Sequence, residues 1–410
     1  MRQFLSSWNE FVNVDRELVT LNEGAPSPET LEKIHNLIAA NGGQSYIVGG
    51  AVRDELIPEA PEPKDVDFVV TGLTLEEIEL ILSSLGKVFE SGKSFGIVKA
   101  VIDGDEFDFS IPRTEKKTGP KHTDFEVVTD PNASVEDDMA RRDFTMNALF
   151  KDSEGNVVDI FGGREDIRNK VVRAVGNPDQ RFVEDPLRML RAIQFASRLG
   201  FDIEEETRKG IKRNFQLLSS IAAERISMEL EKAWTKGRKD SGHLIGLLKD
   251  LGVGEFLFGF GFEPLEISPS FDDARENVLA NFVAFFLRGG APKSMRPTKE
   301  MSNLLELAKE FIKGTPNVWQ RKGITKEQLS LLAKVFGRLG KHYSSFSAEI
   351  LPMLDKPLVG RELDITGQDV MKLGFFGKDI GLIMTKVLVA IHDDELENNY
   401  DEIINYIEEM

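Results

Sequence analysis

The chain of 410 residues contains no cysteine. That absence excludes a disulfide framework, thiolate-bound zinc, iron–sulfur clusters and a cysteine nucleophile, and it fits a reducing compartment. Long apolar runs are lacking as well. The longest, Val278–Leu287, has ten residues and contains Asn281, too short to span a bilayer. Met1–Leu5 runs straight into Ser6, Ser7, Asn9 and Glu10, which offers no signal-peptide core, so the expectation is a cytoplasmic protein with no membrane partner. Histidine is scarce: of the five, only His392 precedes an aspartate, and no second metal-binding motif accompanies it. Positive charge is in deficit, with 51 Lys and Arg against 69 Asp and Glu and a net charge of −18. That balance excludes a broadly basic protein that coats nucleic acid.

What is present describes a folded chain long enough for two or three domains, with 41% hydrophobic and 29% charged residues. Helical spacing runs through residues 1–43, where Trp8, Phe11, Val12 and Leu18 share a face and Ser27 or Thr30 caps a second helix ended by Asn41, Gly42 and Gly43. Residues 44–175 change character. Short β-rich runs (46–48, 66–70, 96–102, 107–111) alternate with turns and a helix near 75–85, the pattern of a mixed α/β domain. From Asp179 onward amphipathic helices take over, at 186–198, 204–218, 222–234, 244–251, 274–286, 299–312 and 326–339, with two more at 368–373 and 378–390. The expected class is α+β, divided into a helical extension (1–43), an α/β head (44–175), and helical segments at 176–255, 256–354 and 355–410. No internal repeat or low-complexity tract interrupts it.

The strongest local feature is Lys64-Asp65-Val66-Asp67-Phe68-Val69-Val70. On a strand, Asp65 and Asp67 project from one face while Val66 and Phe68 enter the core. Two carboxylates on one face repel unless a cation lies between them, and Mg2+ takes hard oxygen ligands from one or two carboxylates plus substrate phosphates. For an isolated D-x-D the alternative is a solvated pair on an edge strand. Upstream, Gly49 and Gly50 leave the apolar run Tyr46-Ile47-Val48 and precede Arg53. A glycine pair there lets backbone N–H groups approach a phosphate, with Arg53 one turn into the next helix as a further donor. Downstream, Glu106-Phe107-Asp108-Phe109-Ser110 alternates polar and aromatic residues and sets Asp108 on one face of another strand, where it could complete a three-carboxylate cluster.

Taken together these residues resemble the nucleotidyltransferase head shared by class II CCA-adding enzymes and bacterial poly(A) polymerases. Later motifs extend the resemblance in order: Arg141-Arg142-Asp143-Phe144-Thr145-Met146-Asn147-Ala148 is similar to the family's RRDFTxNA, Asp159-Ile160-Phe161-Gly162-Gly163 to its DxxGG turn, Glu184-Asp185-Pro186-Leu187-Arg188-Met189-Leu190-Arg191 to its EDxxRxxR helix, and Glu224-Arg225-Ile226 with Glu229 to its ERxxxE helix. Several short motifs in one order carry far more than any one alone. The stretch from Ile365 to Gly381 resembles the tail of tRNA nucleotidyltransferases, and residues 387–410 lack the basic character usual at the end of bacterial poly(A) polymerases.

The resemblance implies template-independent addition of C, C and A to the 3′ end of tRNA from CTP and ATP, with release of pyrophosphate. Poly(A) synthesis, partial CC or A addition, and a catalytically inactive RNA-binding relative are the alternatives. It implies that Asp65 and Asp67 hold Mg2+ and that Asp108 helps activate the attacking hydroxyl. Gly49, Gly50, Arg53 and Arg142 would hold the triphosphate or ribose, Asp143 and Asn147 would organise the ribose pocket, and Arg191 would support the base-reading helix. The segments 44–175, 176–255, 256–354 and 355–410 then become head, neck, body and tail. The stretch Thr114–Val135 corresponds to the family's flexible loop.

The pair Asp185 and Arg188 supports base choice on chemical grounds. At i and i+3 of one helix they share a face; the carboxylate accepts from an exocyclic amine, and the guanidinium donates to a ring nitrogen or carbonyl. Cytosine and adenine fit, whereas uracil and guanine would leave two buried polar groups unpaired, at roughly 1–3 kcal/mol each. An ordinary helix salt bridge is the other reading. Three departures from the family stand out: Gln194 where it has arginine, a proline-rich insertion at 57–63, and residues 1–43. The acidity itself is uneven, since residues 206–240 carry nine Lys and Arg against five acids. That local excess suits contact with RNA phosphates, because charges beyond a Debye length of about 8 Å are largely screened.

Overall fold

A computed structural model describes residues 24–58, 60, 63, 65–89, 96–117, 125–235, 241–259, 262–267, 271–289, 291, 294–315, 324–358 and 360–410. The expected helix over the first 23 residues, Lys64, and part of the 57–63 insertion lie outside them. Two compact units make up the chain: one runs up to Ala192 and takes back Phe201–Leu217, and the other joins Ile193–Gly200 to everything from Leu218 onward.

Among the described residues of the first unit, the strands run in the order β1 (Gln44–Val48), β2 (Val66–Thr71), β3 (Gly86–Phe89), β4 (Ile97–Ile102), β5 (Asp105–Ser110), β6 (Arg113–Lys117), β7 (Phe125–Thr129), β8 (Leu149–Lys151) and β9 (Val157–Asp159), followed by a short parallel pair, Val171–Val172 with Asp202–Ile203. Seven form one sheet in the order β3-β4-β5-β2-β1-β8-β9. Within it only the β2–β5 pair is parallel; the other neighbours are antiparallel. Alternation sorts the two faces as the sequence implies. Phe68, Phe107 and Phe109 are fully buried, with Phe68 stacked on Phe109 at 5.0 Å between centroids. Helix Pro28–Ala40 lies on this side, where His35 meets the Phe68 ring edge-on at 5.5 Å and bonds Ser45 Oγ at 2.7 Å. Ser27 caps that helix by accepting from Thr30 N at 3.1 Å, with Pro28 at its start. Helix Leu75–Leu82, closed by a Thr74–Glu77 capping box, packs on β3 and β4.

The opposite face is half covered. Helix Val135–Ala140 buries Val135 and Met139 against Val48, Val69, Ala148, Phe150 and Val175, so Asp67, two residues before Val69, emerges where that cover ends. The stretch expected as a flexible loop carries order at both ends: β6 and β7 pair antiparallel from Arg113↔Thr129 to Lys117↔Phe125.

The second unit is helical. Its centre is Ala274–Phe286, where every residue from Leu279 to Phe286 is buried. It packs on Ala223–Thr235, Lys299–Ile312 and Lys326–Arg338. Phe285 meets Trp234 edge-on at 5.2 Å, and Phe286 contacts Phe258 at 5.5 Å. The longest apolar run is therefore the core of a helical body. No helix among the described residues is long and apolar enough to cross a membrane. Gln194 is buried, and its Nε2 has no hydrogen-bond partner among the described residues. Helix Gly367–Lys372 opens on a Thr366–Asp369 capping box, which accounts structurally for the Ile-Thr-Gly-x-Asp string. His392 donates from Nε2 to Pro357 O at 2.8 Å, a tie within the tail.

Candidate active site

The carboxylates come first, because sheet register places them. β2 and β5 run parallel with Asp67 opposite Asp108, so the two side chains leave the same face as immediate neighbours. Asp65 stands one residue before β2 and is exposed; Asp67 opens to solvent on one side while protein crowds its carboxyl on the other. The Asp67 carboxyl is pushed up to about 6, first by loss of solvation against the surrounding protein and then by the charges of Asp108 and Asp65; Arg142 and Lys99 pull the other way. The charges of Asp65, Asp67 and Asp108 thus act on one point of the sheet, and carboxylate oxygens there suit a divalent cation such as Mg2+.

The expected three-carboxylate cluster is not formed. Among the described residues no group of three or more Asp, Glu or His side chains is arranged to hold an ion. Asp108 instead receives Lys99 Nζ at 2.6 Å on Oδ1 and 2.8 Å on Oδ2. Two carboxylates and substrate phosphates remain a sufficient donor set for Mg2+.

Beside the carboxylates lies the Gly49–Gly50 turn. Gly49 has φ 70° and caps helix Gly50–Glu55; a Cβ there would fall 2.5 Å from Arg142 Nη1. Glycine is required twice over, by backbone conformation and by the guanidinium that lies against it. Arg142 is held from behind. Its Nη2 donates to Asp138 Oδ2 at 3.3 Å and its Nη1 to Asn147 O at 3.3 Å. Asp138 is fully buried and also takes Arg141 Nε at 2.9 Å and Arg113 N at 3.4 Å.

Arg53 is buried and points inward. It pairs with Asp54 through Nε at 2.8 Å and Nη2 at 2.9 Å, and its Nη1 donates to Asn147 Oδ1 at 2.6 Å. Asn147 Nδ2 then donates to Asp143 Oδ1 at 3.0 Å, and Arg191 reaches Asp143 Oδ2 at 2.8 Å from Nε and 2.6 Å from Nη2. The chain Asp54, Arg53, Asn147, Asp143, Arg191 therefore links the glycine turn, the RRDFTxNA segment and the EDxxRxxR segment. Burial alone would raise the Asp143 carboxyl, but the Arg191 charge and the hydrogen bonds from Asn147, Arg191 and Phe144 N outweigh it and hold it low.

The DxxGG turn supports this segment without entering the site. Asp159 accepts Gly163 N and Arg164 N, both at 2.9 Å, and caps helix Gly163–Arg168. Gly163 has Thr145 O 2.2 Å from where a Cβ would stand, so the turn packs directly beneath RRDFTxNA. Asp166 accepts from Thr145 Oγ1 at 2.6 Å.

The pair expected to read the base, Asp185 and Arg188, differs from the expectation in one respect. Asp185 and Arg188 do not share a helix: Asp185, at φ −140° and ψ 100°, sits at the break between helices Pro178–Glu184 and Leu187–Leu199. Pro186 forces that break, because the residue before proline is driven out of the α region. Asp185 Oδ1 accepts Leu187 N at 3.0 Å and caps the second helix. Arg188 is buried, donating to Glu184 Oε2 at 2.9 Å and to Arg141 O at 3.0 Å. Glu184 also takes Arg181 Nη1 at 2.8 Å.

Three contributors escaped the sequence reading: Lys99, Asp138 and Glu184. The i, i+3 and i, i+4 spacing of Asp138 before Arg141 and Arg142, and of Glu184 between Arg181 and Arg188, carries a readable signal. Lys99 carries none, since only the β4–β5 register sets it opposite Asp108. Of the basic excess in 206–240, Lys209 pairs with Glu206, Arg213 with Asp179 and Lys232 with Glu229, while 236–240 lie outside the described residues.

Comparison with known proteins agrees with this geometry. Residues 45–173 match the poly A polymerase head domain, and residues 200–258 match the probable RNA- and SrmB-binding site of polymerase A. The CCA-adding enzyme of Lactobacillus helveticus is 30% identical over 97% of this chain and all of its own length; that of Bacillus velezensis is 31% identical over 92% of this chain and 97% of its own. Among solved structures, the Bacillus stearothermophilus CCA-adding enzyme in complex with CTP superimposes with a TM-score of 0.70 at 24% identity, covering 94% of this chain and 98% of that one. The Thermotoga maritima CCA-adding enzyme complexed with tRNA gives 0.65 at 21% identity, covering 92% of this chain and 94% of that one. The sheet, the ordered motifs and relatives matched along nearly the whole length lead to one assignment: this chain belongs to the CCA-adding enzymes, nucleotidyltransferases that act on tRNA.

Proposed function

We propose that this protein adds C, C and A to the 3′ end of tRNA from CTP and ATP, working as a head (44–175), neck (176–255), body (256–354) and tail (355–410). The observation that carries the reading is the register of Asp67 with Asp108 beside the Gly49 turn and Arg142. It sets a carboxylate pair beside a glycine turn and a guanidinium.

Asp65 and Asp67 would hold Mg2+, which supplies charge neutralisation for the triphosphate and activation of the attacking oxygen. The rest falls to the chain's own groups. Gly49, whose N–H is taken by Leu149 O at 3.2 Å, shapes the turn, so that the Gly50 N–H and the start of a helix meet the triphosphate, and Arg142 adds a guanidinium at the same turn. Arg53 and Asn147 keep the turn and the Asp143 segment in register, so that the ribose meets a fixed wall. Asp108 accepts a hydrogen bond from the RNA 3′ hydroxyl as it attacks the α-phosphate, and pyrophosphate departs along the Gly49–Arg142 side. Asp185 and Arg188 select C or A by offering one acceptor and one set of donors. Arg191 steadies that segment through Asp143.

The reading is tested by incubating the protein with Mg2+, CTP, ATP and tRNA lacking its 3′ end, then sequencing the extension. C, C, A followed by a stop is the expected product. A long A tract would select poly(A) synthesis, and no incorporation would refute both.

A further inference from the structure

Strand pairing sets one row of residues across five strands: Val48 on β1, Asp67 on β2, Asp108 on β5, Lys99 on β4 and Phe89 on β3. Neighbours in such a row share a face with Cβ atoms about 5 Å apart. Asp67 and Asp108 are therefore adjacent like charges, and Lys99 is the cation on the far side of Asp108. Its Nζ lies 2.6 Å and 2.8 Å from the two Asp108 oxygens and 3.8 Å from Glu106 Oε1. Val98 and Ala100, on either side of it, are buried against the other face, so alternation fixes the direction of the lysine.

We infer that Lys99 is a positioning residue for the transfer step: it holds Asp108 on the β4 side of the site as a hydrogen-bond acceptor and keeps that carboxylate from becoming a further metal ligand. The inference rests on the functional reading above. An ionised carboxylate has about four lone-pair sites, and the ammonium takes those facing β4. Those facing Asp67 remain for a hydroxyl proton. To join a cation held by Asp65 and Asp67, Asp108 would have to leave a charge-assisted pair in which both of its oxygens take part. The lysine thus divides labour among three carboxylates that would otherwise compete for one ion, and its charge weakens the cation affinity of the whole row.

Two variants test this. Lys99→Met keeps the aliphatic stem and removes the charge; Lys99→Arg keeps the charge. The first readout is the Mg2+ dependence of the thermal unfolding midpoint without nucleotide or RNA, with Asp65→Ala/Asp67→Ala as the flat baseline. In Lys99→Met the half-saturating Mg2+ concentration should fall by about threefold or more, because a unit positive charge has left the edge of an anionic site. Turnover in CCA addition should fall about tenfold as Asp108 loses its orientation, with KM for CTP held within about twofold. Lys99→Arg should keep the wild-type Mg2+ midpoint and regain most of the turnover. An unchanged or higher Mg2+ midpoint in Lys99→Met, or unchanged turnover, overturns the inference and leaves Lys99 a surface ion pair. Failure of the wild-type chain to extend tRNA would count against the functional reading alone, since the metal titration needs neither substrate.

Discussion

Arg191 closes on a single oxygen of Asp143, with a hydrogen bond from Nε at 2.8 Å and an ion-pair contact from Nη2 at 2.6 Å, across 48 positions of sequence. The contact is the last link of a buried line of charges and amides that begins at Asp54. It joins the RRDFTxNA segment to the EDxxRxxR segment, which the proposed function assigns to the triphosphate and to base choice. A nucleotide held at one end therefore meets a geometry already set at the other.

Asn147 is the hinge of that line, because its amide alone serves both Arg53 and Asp143. Asn147→Ala should cost about 1–3 kcal/mol by leaving buried partners short of a bond, read as a lowered chemical-denaturation midpoint. KM for both CTP and ATP should rise together. A rise for one nucleotide only would contradict a shared role.

Asp143 is held below its ordinary value of 3.8 once Arg191 and its amide donors overcome burial. A carboxyl depressed in the folded state contributes stability above its unfolded pKa and loses it as pH falls through the folded one. Asp143→Asn should accordingly be less stable than wild type at pH 7, by about 2 kcal/mol, with the gap closing as pH drops below about 4. A gap that persists unchanged at pH 3 would refute the ion-pair account.

Asp67 behaves in the opposite sense. Its pKa is raised from 3.8 to about 6, so the folded state favours the protonated form; the stability this brings is complete below 3.8 and is lost as pH rises through about 6. At pH 7.5 without metal, Asp67→Asn should unfold at a higher temperature than wild type, and the difference should shrink below pH 5. Mg2+ should raise the wild-type midpoint at pH 7.5, lose that effect as pH falls through about 6, and leave Asp67→Asn unmoved. An Asp67→Asn variant less stable than wild type at pH 7.5 would contradict the placement of this charge.

Asp185 caps a helix and, in the proposed function, takes part in base choice, and one substitution can separate the two. Asp185→Ala removes the cap on helix Leu187–Leu199 and should cost about 1 kcal/mol, whereas Asp185→Asn keeps a capping oxygen and should stay within a few tenths. In base choice the ranking reverses in kind. Asp185→Asn introduces an N–H that can meet the uracil carbonyl, so discrimination against UTP should fall about tenfold or more in competition assays. Arg188→Ala should lose base choice while triphosphate binding partly survives. Unaltered UTP rejection in both variants would remove this pair from the reading.

How much of this was legible in the sequence depends on whether the signal was local. Asp65, Asp67, Asp108 and the glycine pair could be read because strand alternation and turn chemistry are properties of a few adjacent residues. Helices Ala274–Phe286 and Lys299–Ile312 match their expected bounds because each begins at a capping residue, Asp273 or Thr298. Helix Pro178–Glu184 was missed although Asn177 and Pro178 are a legible start; seven residues leave little periodicity to detect. Helix Lys341–Ile350 hides behind His342, Tyr343, Ser344 and Ser345, which give no apolar stripe. Asp185 and Arg188 were assigned to one helix by spacing, where Pro186 should have argued for a break. Lys99 was beyond reach, since its role exists only once β4 and β5 are paired.

The central claim is that CCA addition occurs at the Asp65–Asp67 edge of β2. It is tested most directly by extending a tRNA that lacks its 3′ end with wild-type protein and with Asp65→Ala/Asp67→Ala, under Mg2+ with CTP and ATP, after matching the two by circular dichroism. Wild type should add three nucleotides, C, C and A, and stop; the variant should add none while remaining folded. A folded variant that extends the tRNA at the wild-type rate would contradict the account.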